Sequence, residues 1–421
     1  MHLAEPSTQD HLVLGAVALV LTAVLVAYSQ TRAWYGDEEF HLLAAQLINA
    51  GQRPYRDFVY PQPPLFAYWN ALGMRLLGES WRVAHFWSAL FTGGSVYLAG
   101  RFVYARLPEN PWRLAASVST ALLIGLQFLV IRFGTIAQAY GTCLFLSVAA
   151  FCCAVEAVDR LEVRWPFGAG LAAGAAAACS LLAAPVAPVV GLWIALRSRA
   201  GERAGKSLAF LGGTALPFLP LIGLLVQAPR PTIFNVFEYH LFHRGANWRT
   251  YASWDASVMT SWTDSLPGML LALLAAAGLL YLCGGAGGKV QRRPEFCLAA
   301  GLAAALGLHL GNAHPTYQQY FILVIPFLAM LAGVGVFALG TEVLRLGRPA
   351  GFVLLLTTLL LVGVARAVYA EREILRFTWR NYAAVVRTVD QITPPEAPVW
   401  ADEGVYFAAR RPASSMPTPT R

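Results

Sequence analysis

Charge is scarce in this sequence: only 13% of its 421 residues are Asp, Glu, Lys or Arg, against about 25% in a soluble globular domain. With 57% hydrophobic residues and a mean hydropathy of +0.53, a soluble globular chain is excluded and an integral membrane protein is indicated. Lys and Arg are missing from Met1 to Asp10, whose charges are Glu5 and Asp10. A cleaved signal peptide needs a basic leader, so the first apolar run, Leu12 to Ser29, is expected to be an uncleaved anchor. The cysteines (143, 152, 153, 179, 283 and 297) lack zinc-ligand spacing and supply no disulfide framework for external loops, and Cys152-Cys153 reads as small packing residues. Internal repeats and heptads are absent, and no Asp or Glu falls deep in an apolar run. Secondary transporters carry repeated halves and midplane ionisable groups, so both absences argue against one. The net charge of +8 does not imply a nucleic-acid partner, because the basic residues sit in short loops between apolar runs.

What is present is an all-α polytopic pattern of about eleven spans by the twenty-residue criterion. They fall near 11–30, 82–105, 114–131, 136–155, 166–182, 185–197, 207–226, 266–283, 296–311, 319–340 and 350–369. The pair at 166–197 reads either as a tight hairpin about Ala184-Pro185 or as a re-entrant feature, and Gly170 and Gly174 suit close helix packing. Alternate loops are basic: Arg106 and Arg113; Arg160 and Arg164; Arg197, Arg199, Arg203 and Lys206; Lys289, Arg292 and Arg293; Arg345 and Arg348. The positive-inside rule then puts the amino terminus in the cytoplasm of a cell (plasma or inner) membrane. Residues 1–369 form the membrane module and 370–421 a short extracytoplasmic tail, whose end, Pro412 to Arg421, is expected to be disordered.

Two outer segments are too long for turns. Residues 31–81 hold a helix from Glu38 to Ala50 whose apolar positions fit an interfacial face, then Pro61, Pro63 and Pro64, then an aromatic helix from Leu65 to Leu77. Residues 227–265 place Trp248, Tyr251, Trp254 and Trp262 at headgroup level. Acidic residues gather just beyond the first span, at Asp37-Glu38-Glu39. Asp37 opens a helix, so it reads as an N-cap, as a general base at the membrane-water boundary, or as both. Arg53, Tyr55, Asp57, Gln62 and the neighbouring prolines form a rigid loop: a pocket wall or an ordinary proline-terminated turn. His314, Tyr317 and Gln319 lie in an outer turn suited to a phosphate or sugar hydroxyl, or to simple interfacial anchoring. Arg132, Gln138 and Tyr140 sit at another outer turn, where Arg132 either meets a lipid phosphate or snorkels. His240, His243 and Glu238 have no further metal ligand nearby and read as a chance grouping.

Taken together these segments resemble the GT-C glycosyltransferases of the protein O-mannosyltransferase and aminoarabinose-transferase type. The resemblance rests on Gly36-Asp37-Glu38, Ala44-Ala45-Gln46-Leu47, Gly51-Gln52-Arg53-Pro54-Tyr55-Arg56-Asp57, Pro63-Pro64-Leu65, Arg82, and His314 through Pro326. It implies a GT-C-like bundle that moves a sugar from a polyprenyl-phosphate donor to an acceptor hydroxyl on the extracytoplasmic face. It also implies that Asp37, with Glu38 adjacent, is the base or acceptor-orienting group; positive charge helps phosphate leave, and Arg132, Arg53 and His314 are candidates to supply it. Many relatives carry a second acid near residues 132–140. This chain has none there, so a metal bridged by two acids is not expected and Gln138 or Tyr140 takes that place. The tail is shorter than in many relatives, as in a truncated member. A transporter, or a lipid-carrier binding protein without catalysis, is the alternative.

Overall fold

The computed structural model describes residues 8–31, 36–244, 252–261, 264–284, 290, 293–343, 347–372, 379–394, 397 and 399–411. Trp248, Tyr251, Trp262 and the 412–421 end lie outside the described residues. Backbone in an apolar environment must close its own hydrogen bonds, so the apolar runs form helices. In order these are α1 (Thr8–Ser29), α2 (Glu38–Asn49), α3 (Leu65–Leu77), α4 (Trp81–Arg106), α5 (Trp112–Gly125), α6 (Phe128–Phe133) and α7 (Tyr140–Asp159). Then follow α8 (Arg164–Cys179), α9 (Val186–Arg197), α10 (Arg203–Ala215), α11 (Leu219–Gln227) and α12 (Pro229–Ile233), which runs on in wider π turns through Phe234–His243. The remainder are α13 (Ala252–Ser261), α14 (Leu266–Cys283), α15 (Arg293–Gly311), α16 (Ile325–Ala338), α17 (Pro349–Ala370), α18 (Trp379–Ile392) and α19 (Glu403–Ala409).

The architecture is an all-α, multi-pass membrane bundle. Among the described residues seven helices are long and apolar enough to cross a membrane, with two shorter apolar helices beside them, so length alone does not establish about eleven full spans. Local capping explains part of the shortfall. The expected run at 114–131 breaks because the Gln127 side chain accepts the Phe128 N–H at 3.0 Å, ending α5 and restarting the chain as α6. The run at 166–197 breaks at Ser180, whose hydroxyl accepts the Leu182 N–H at 3.4 Å.

On α1, Leu14, Ala18, Leu21 and Leu25 are buried at helical spacing, while Leu12, Leu19, Val20 and Val24 stay exposed as a lipid-facing stripe. The centre is α16, buried along its whole length and packed by α14, α5, α15 and α4. Small residues permit that density. A Cβ on Gly278 of α14 would lie 2.0 Å from the Leu331 carbonyl oxygen, and one on Gly335 of α16 would lie 2.0 Å from the Leu274 oxygen. Gly170 and Gly174 play the same part against Phe210 and Thr214 of α10, which is the packing role their spacing suggests.

At the end carrying the basic loops, Arg106 of α4 binds Glu156 of α7 at 2.9 Å and Glu295 of α15. At the other end lie the first long loop and the tail. The helices expected at Glu38–Ala50 and Leu65–Leu77 form as α2 and α3, packed on each other. The tail supplies α18 and α19, whose Tyr382 and Phe407 join Leu42, Ala45, Met74 and Trp81 in one apolar cluster. Gln46 of α2 donates to the Phe407 carbonyl at 3.2 Å.

A branched side chain at the α14–α16 crossing must push two backbones apart. Gly278→Val is expected to cost about 1–3 kcal/mol, lowering the thermal unfolding midpoint in detergent. Gly301→Ala in α15, with open space around it, is expected to leave that midpoint unchanged.

Candidate active site

The first acidic cluster divides according to helix geometry. Gly36 sits at φ +60°, a conformation glycine adopts without strain, and it turns the chain into α2. Adjacent positions on a helix point about 100° apart, so neighbouring carboxylates face different surroundings. Asp37 is exposed. Glu38 is fully buried, with its Oε1 against His85 Nε2 of α4 and accepting the Ala137 N–H at 3.1 Å. Glu38, which the resemblance places beside Asp37 in the base or acceptor-orienting role, is instead enclosed, because its position on α2 faces α4. Asp37 stands at the N-cap position expected of it, but its side chain makes no cap hydrogen bond. Glu39 takes a third direction, toward the Tyr382 hydroxyl of the tail.

Around Asp37 three further segments converge. A Cβ on Gly36 would lie 3.4 Å from Gln138 Nε2, so the 134–139 turn borders the entry to α2. Tyr140, which opens α7, lies within electrostatic range of Asp37 and stacks toward Tyr320 with ring centroids 6.4 Å apart. Arg244, from the second long loop, donates to the Pro315 carbonyl at 3.2 Å and to the Tyr320 hydroxyl. Its guanidinium also lies over the rings of Tyr320 at 5.4 Å and Tyr317 at 5.8 Å. Surrounding protein pushes the Asp37 carboxyl above the ordinary carboxylate range, although the side chain reaches solvent; Arg244 pulls it down and Glu403 of the tail adds to the rise. The arrangement is a carboxylate with a raised proton affinity, a nearby cation and two phenols at one end of an apolar bundle.

The other sequence candidates are placed as follows. Gln138 and Tyr140 join Asp37, and Tyr317 joins Arg244. Gln319 is half-buried in the 3-10 turn Gln318–Leu323. His314 pairs with Asp255 of α13, whose other oxygen accepts the Thr316 N–H at 3.0 Å, so His314 ties α13 to the turn. Arg132 is buried in an ion pair with Glu371 at the end of α17, in place of the expected snorkelling or open phosphate contact. The Pro-Tyr-x-Asp loop is internally bonded. Asp57 accepts the Arg53 N–H at 2.8 Å, Tyr55 donates to the Gln62 carbonyl at 2.6 Å, and the Arg53 guanidinium binds Gln227.

That loop also braces the segment leading to Arg244. Tyr60 N–H donates to Asn235 at 3.1 Å and His240 Nε2 donates to the Pro61 carbonyl at 2.8 Å. Burial lowers the proton affinity of the His240 imidazole, and the Pro61 hydrogen bond opposes that shift. Among the described residues no cluster of three His, Cys, Asp or Glu side chains suits a metal ion. Sequence reasoning missed Arg244, Asp255 and Glu371. The available signal for Arg244 was its place beside His243 in a long aromatic loop.

No family model matches the sequence, and no curated relative does. Solved structures do. ArnT from Cupriavidus metallidurans bound to undecaprenyl phosphate matches with a TM-score of 0.67 at 15% identity, over 97% of this chain and 86% of that one. The apo state of the same transferase matches at 0.69 and 16%, over 97% of this chain and 86% of that one. The apo oligosaccharyltransferase of Archaeoglobus fulgidus matches at 0.55 and 10%, over 94% of this chain and 64% of that one. The chain shares the overall fold of these solved proteins. The GT-C likeness thus reaches well past the first eighty residues, where the sequence motifs concentrate.

Asn235→Leu removes the acceptor of the buried Tyr60 N–H. It is expected to cost about 1–3 kcal/mol, read as a lowered unfolding midpoint in detergent.

Proposed function

We propose that this GT-C protein transfers a sugar from a polyprenyl-phosphate-linked donor to an acceptor hydroxyl at the extracytoplasmic end of the bundle, with Asp37 as base or acceptor-orienting group. The observation that carries the reading is an exposed carboxylate, Asp37, within electrostatic range of Arg244 and Tyr140 at one end of a membrane bundle. The match to a transferase solved with undecaprenyl phosphate supports the donor class. Basic loops at the opposite end support an outward site by the positive-inside rule.

The chemistry follows from charge development. The acceptor oxygen attacks the anomeric carbon of the sugar as its bond to the phosphate oxygen breaks, and polyprenyl phosphate leaves. The hydroxyl proton passes to Asp37, whose raised proton affinity suits it to take that proton. Negative charge builds on the departing phosphate. Arg244 is held through its Nη2 by Pro315 and Tyr320, so its guanidinium is already in place to stabilise that charge without reorganising. The isoprenoid needs an apolar berth and the sugar phosphate needs water, which suits a site at the membrane boundary. The Pro-Tyr-x-Asp loop holds the segment that carries Arg244, while Arg132 and His314 hold α17 and α13 in place. Glu38 positions and does not touch substrate.

Purified protein with a panel of polyprenyl-phosphate sugars and hydroxyl acceptors tests the reading. Asp37→Asn is expected to abolish transfer while the protein still binds polyprenyl phosphate, and undiminished transfer by this variant removes the base assignment. The pH profile supplies a second test. A base must be ionised, so kcat/KM falls as pH drops through the Asp37 pKa, which lies above the ordinary value of about 3.9. Arg244 lowers that pKa, so Arg244→Gln is expected to move the acid limb to higher pH, besides cutting kcat by about 10²–10³-fold.

A further inference from the structure

Directly beneath Asp37 lies an ionisable pair that the transfer chemistry does not use. Glu38 and His85 are both without solvent exposure. His85 Nδ1 lies 2.7 Å from the Ser29 carbonyl oxygen, an acceptor with no proton to give. Nδ1 must therefore carry a hydrogen. Nε2 faces Glu38 Oε1, and a contact between these atoms needs one more proton, on either the ring or the carboxyl. The pair holds that single proton between its members and carries no net charge in either form, so neither group is buried as an unpaired ion. The same Oε1 also accepts the Ala137 N–H at 3.1 Å.

The connections have one geometric result. Ser29 ends α1, His85 belongs to α4, Glu38 begins α2, and Ala137 belongs to the turn that carries Gln138 and leads to Tyr140. The Glu38–His85 pair thus joins four segments near Asp37: Glu38 ties α2 to α4 and to the Ala137 turn, and His85 carries the connection on to the end of α1. Asp37 immediately precedes Glu38, and Gly36 on its other side has no side chain to anchor the turn. The direction of the Asp37 carboxylate is inherited from Glu38.

We propose that Glu38 and His85 are positioning residues for Asp37: their shared proton and the Ala137 hydrogen bond fix the carboxylate relative to Tyr140 and Arg244. The proposal rests on the reading of Asp37 as the group that meets the acceptor. It makes Glu38 a residue that acts through its neighbour, and it gives His85 a part in the reaction that its place in an apolar helix conceals.

Two substitutions separate the ties made by His85. His85→Gln keeps an N–H near the Nε2 position to donate to Glu38 and gives up the Ser29 contact. His85→Asn keeps a donor near Nδ1 for Ser29 and gives up Glu38. Each full-length protein is purified in nanodiscs and assayed for transfer with polyprenyl-phosphate sugars. Amide hydrogen exchange at Ala137 is followed in the same preparations. The expected result for His85→Asn is a kcat reduced about tenfold or more, KM for the lipid donor within about twofold of the parent, and Ala137 exchange about tenfold faster. His85→Gln is expected to restore most of kcat and the slow exchange. Parent-like kcat and exchange in His85→Asn, or equal losses in both variants tracking their unfolded fraction, would overturn the positioning role. If the parent protein itself transfers no sugar, the function reading fails, and Ala137 exchange alone decides: slow in the parent and His85→Gln but fast in His85→Asn supports the pair.

Discussion

A buried carboxylate bound to a buried imidazole is the contact on which the site end of this protein depends. Membrane helices have little hydrophobic incentive to choose one neighbour over another, because lipid chains are as apolar as leucine. Close backbone contact at glycines such as Gly278 and Gly335 brings helices together along the bundle. Polar ties then fix the register at its ends. At the basic end Arg106 clamps α4, α7 and α15 through Glu156 and Glu295. At the site end Glu38 and His85 bind α1, α2, α4 and the turn before α7. Removing one member of such a pair leaves a buried group unpaired, at a cost of about 3–5 kcal/mol.

From that anchor the rest of the site follows outward. Glu38 points in, so Asp37 points out. Glu39 reaches the tail, and burial raises its carboxyl while the Tyr382 hydrogen bond pulls it down. The tail brings Glu403 within range of Asp37, so an acidic group does approach it, although none lies in the 132–140 segment. Arg244 comes in from the opposite side, held by the turn at Pro315 and Tyr320 and braced through Asn235 and His240 by the proline loop. Each of these ties is between side chains and backbone distant in sequence, which makes the constellation a product of the fold.

That distance explains what was legible in the sequence. Scarcity of charge made Asp37 conspicuous, and apolar periodicity with proline and glycine punctuation located α2, α3 and α14 almost to the residue. The fold class was readable for the same reason, since backbone in lipid has few options. The breaks at Gln127 and Ser180 were not readable, because a side chain that caps its own backbone leaves hydropathy unchanged. Arg244 was hidden because its partners lie 71 and 76 positions further along the chain. The burial of Glu38 beside an exposed Asp37 was not readable either, because adjacency in sequence is divergence on a helix. Arg132 and His314 looked available for phosphate, whereas Glu371 and Asp255, their partners, come from segments with no visible link to them.

The most direct test of the central claim is a structure of the protein in nanodiscs with undecaprenyl phosphate bound. The account predicts the phosphate within hydrogen-bond distance of Arg244, with Asp37 facing the side from which an acceptor would approach. A phosphate seated at the basic end of the bundle, or held by Arg132 away from Arg244, would contradict it.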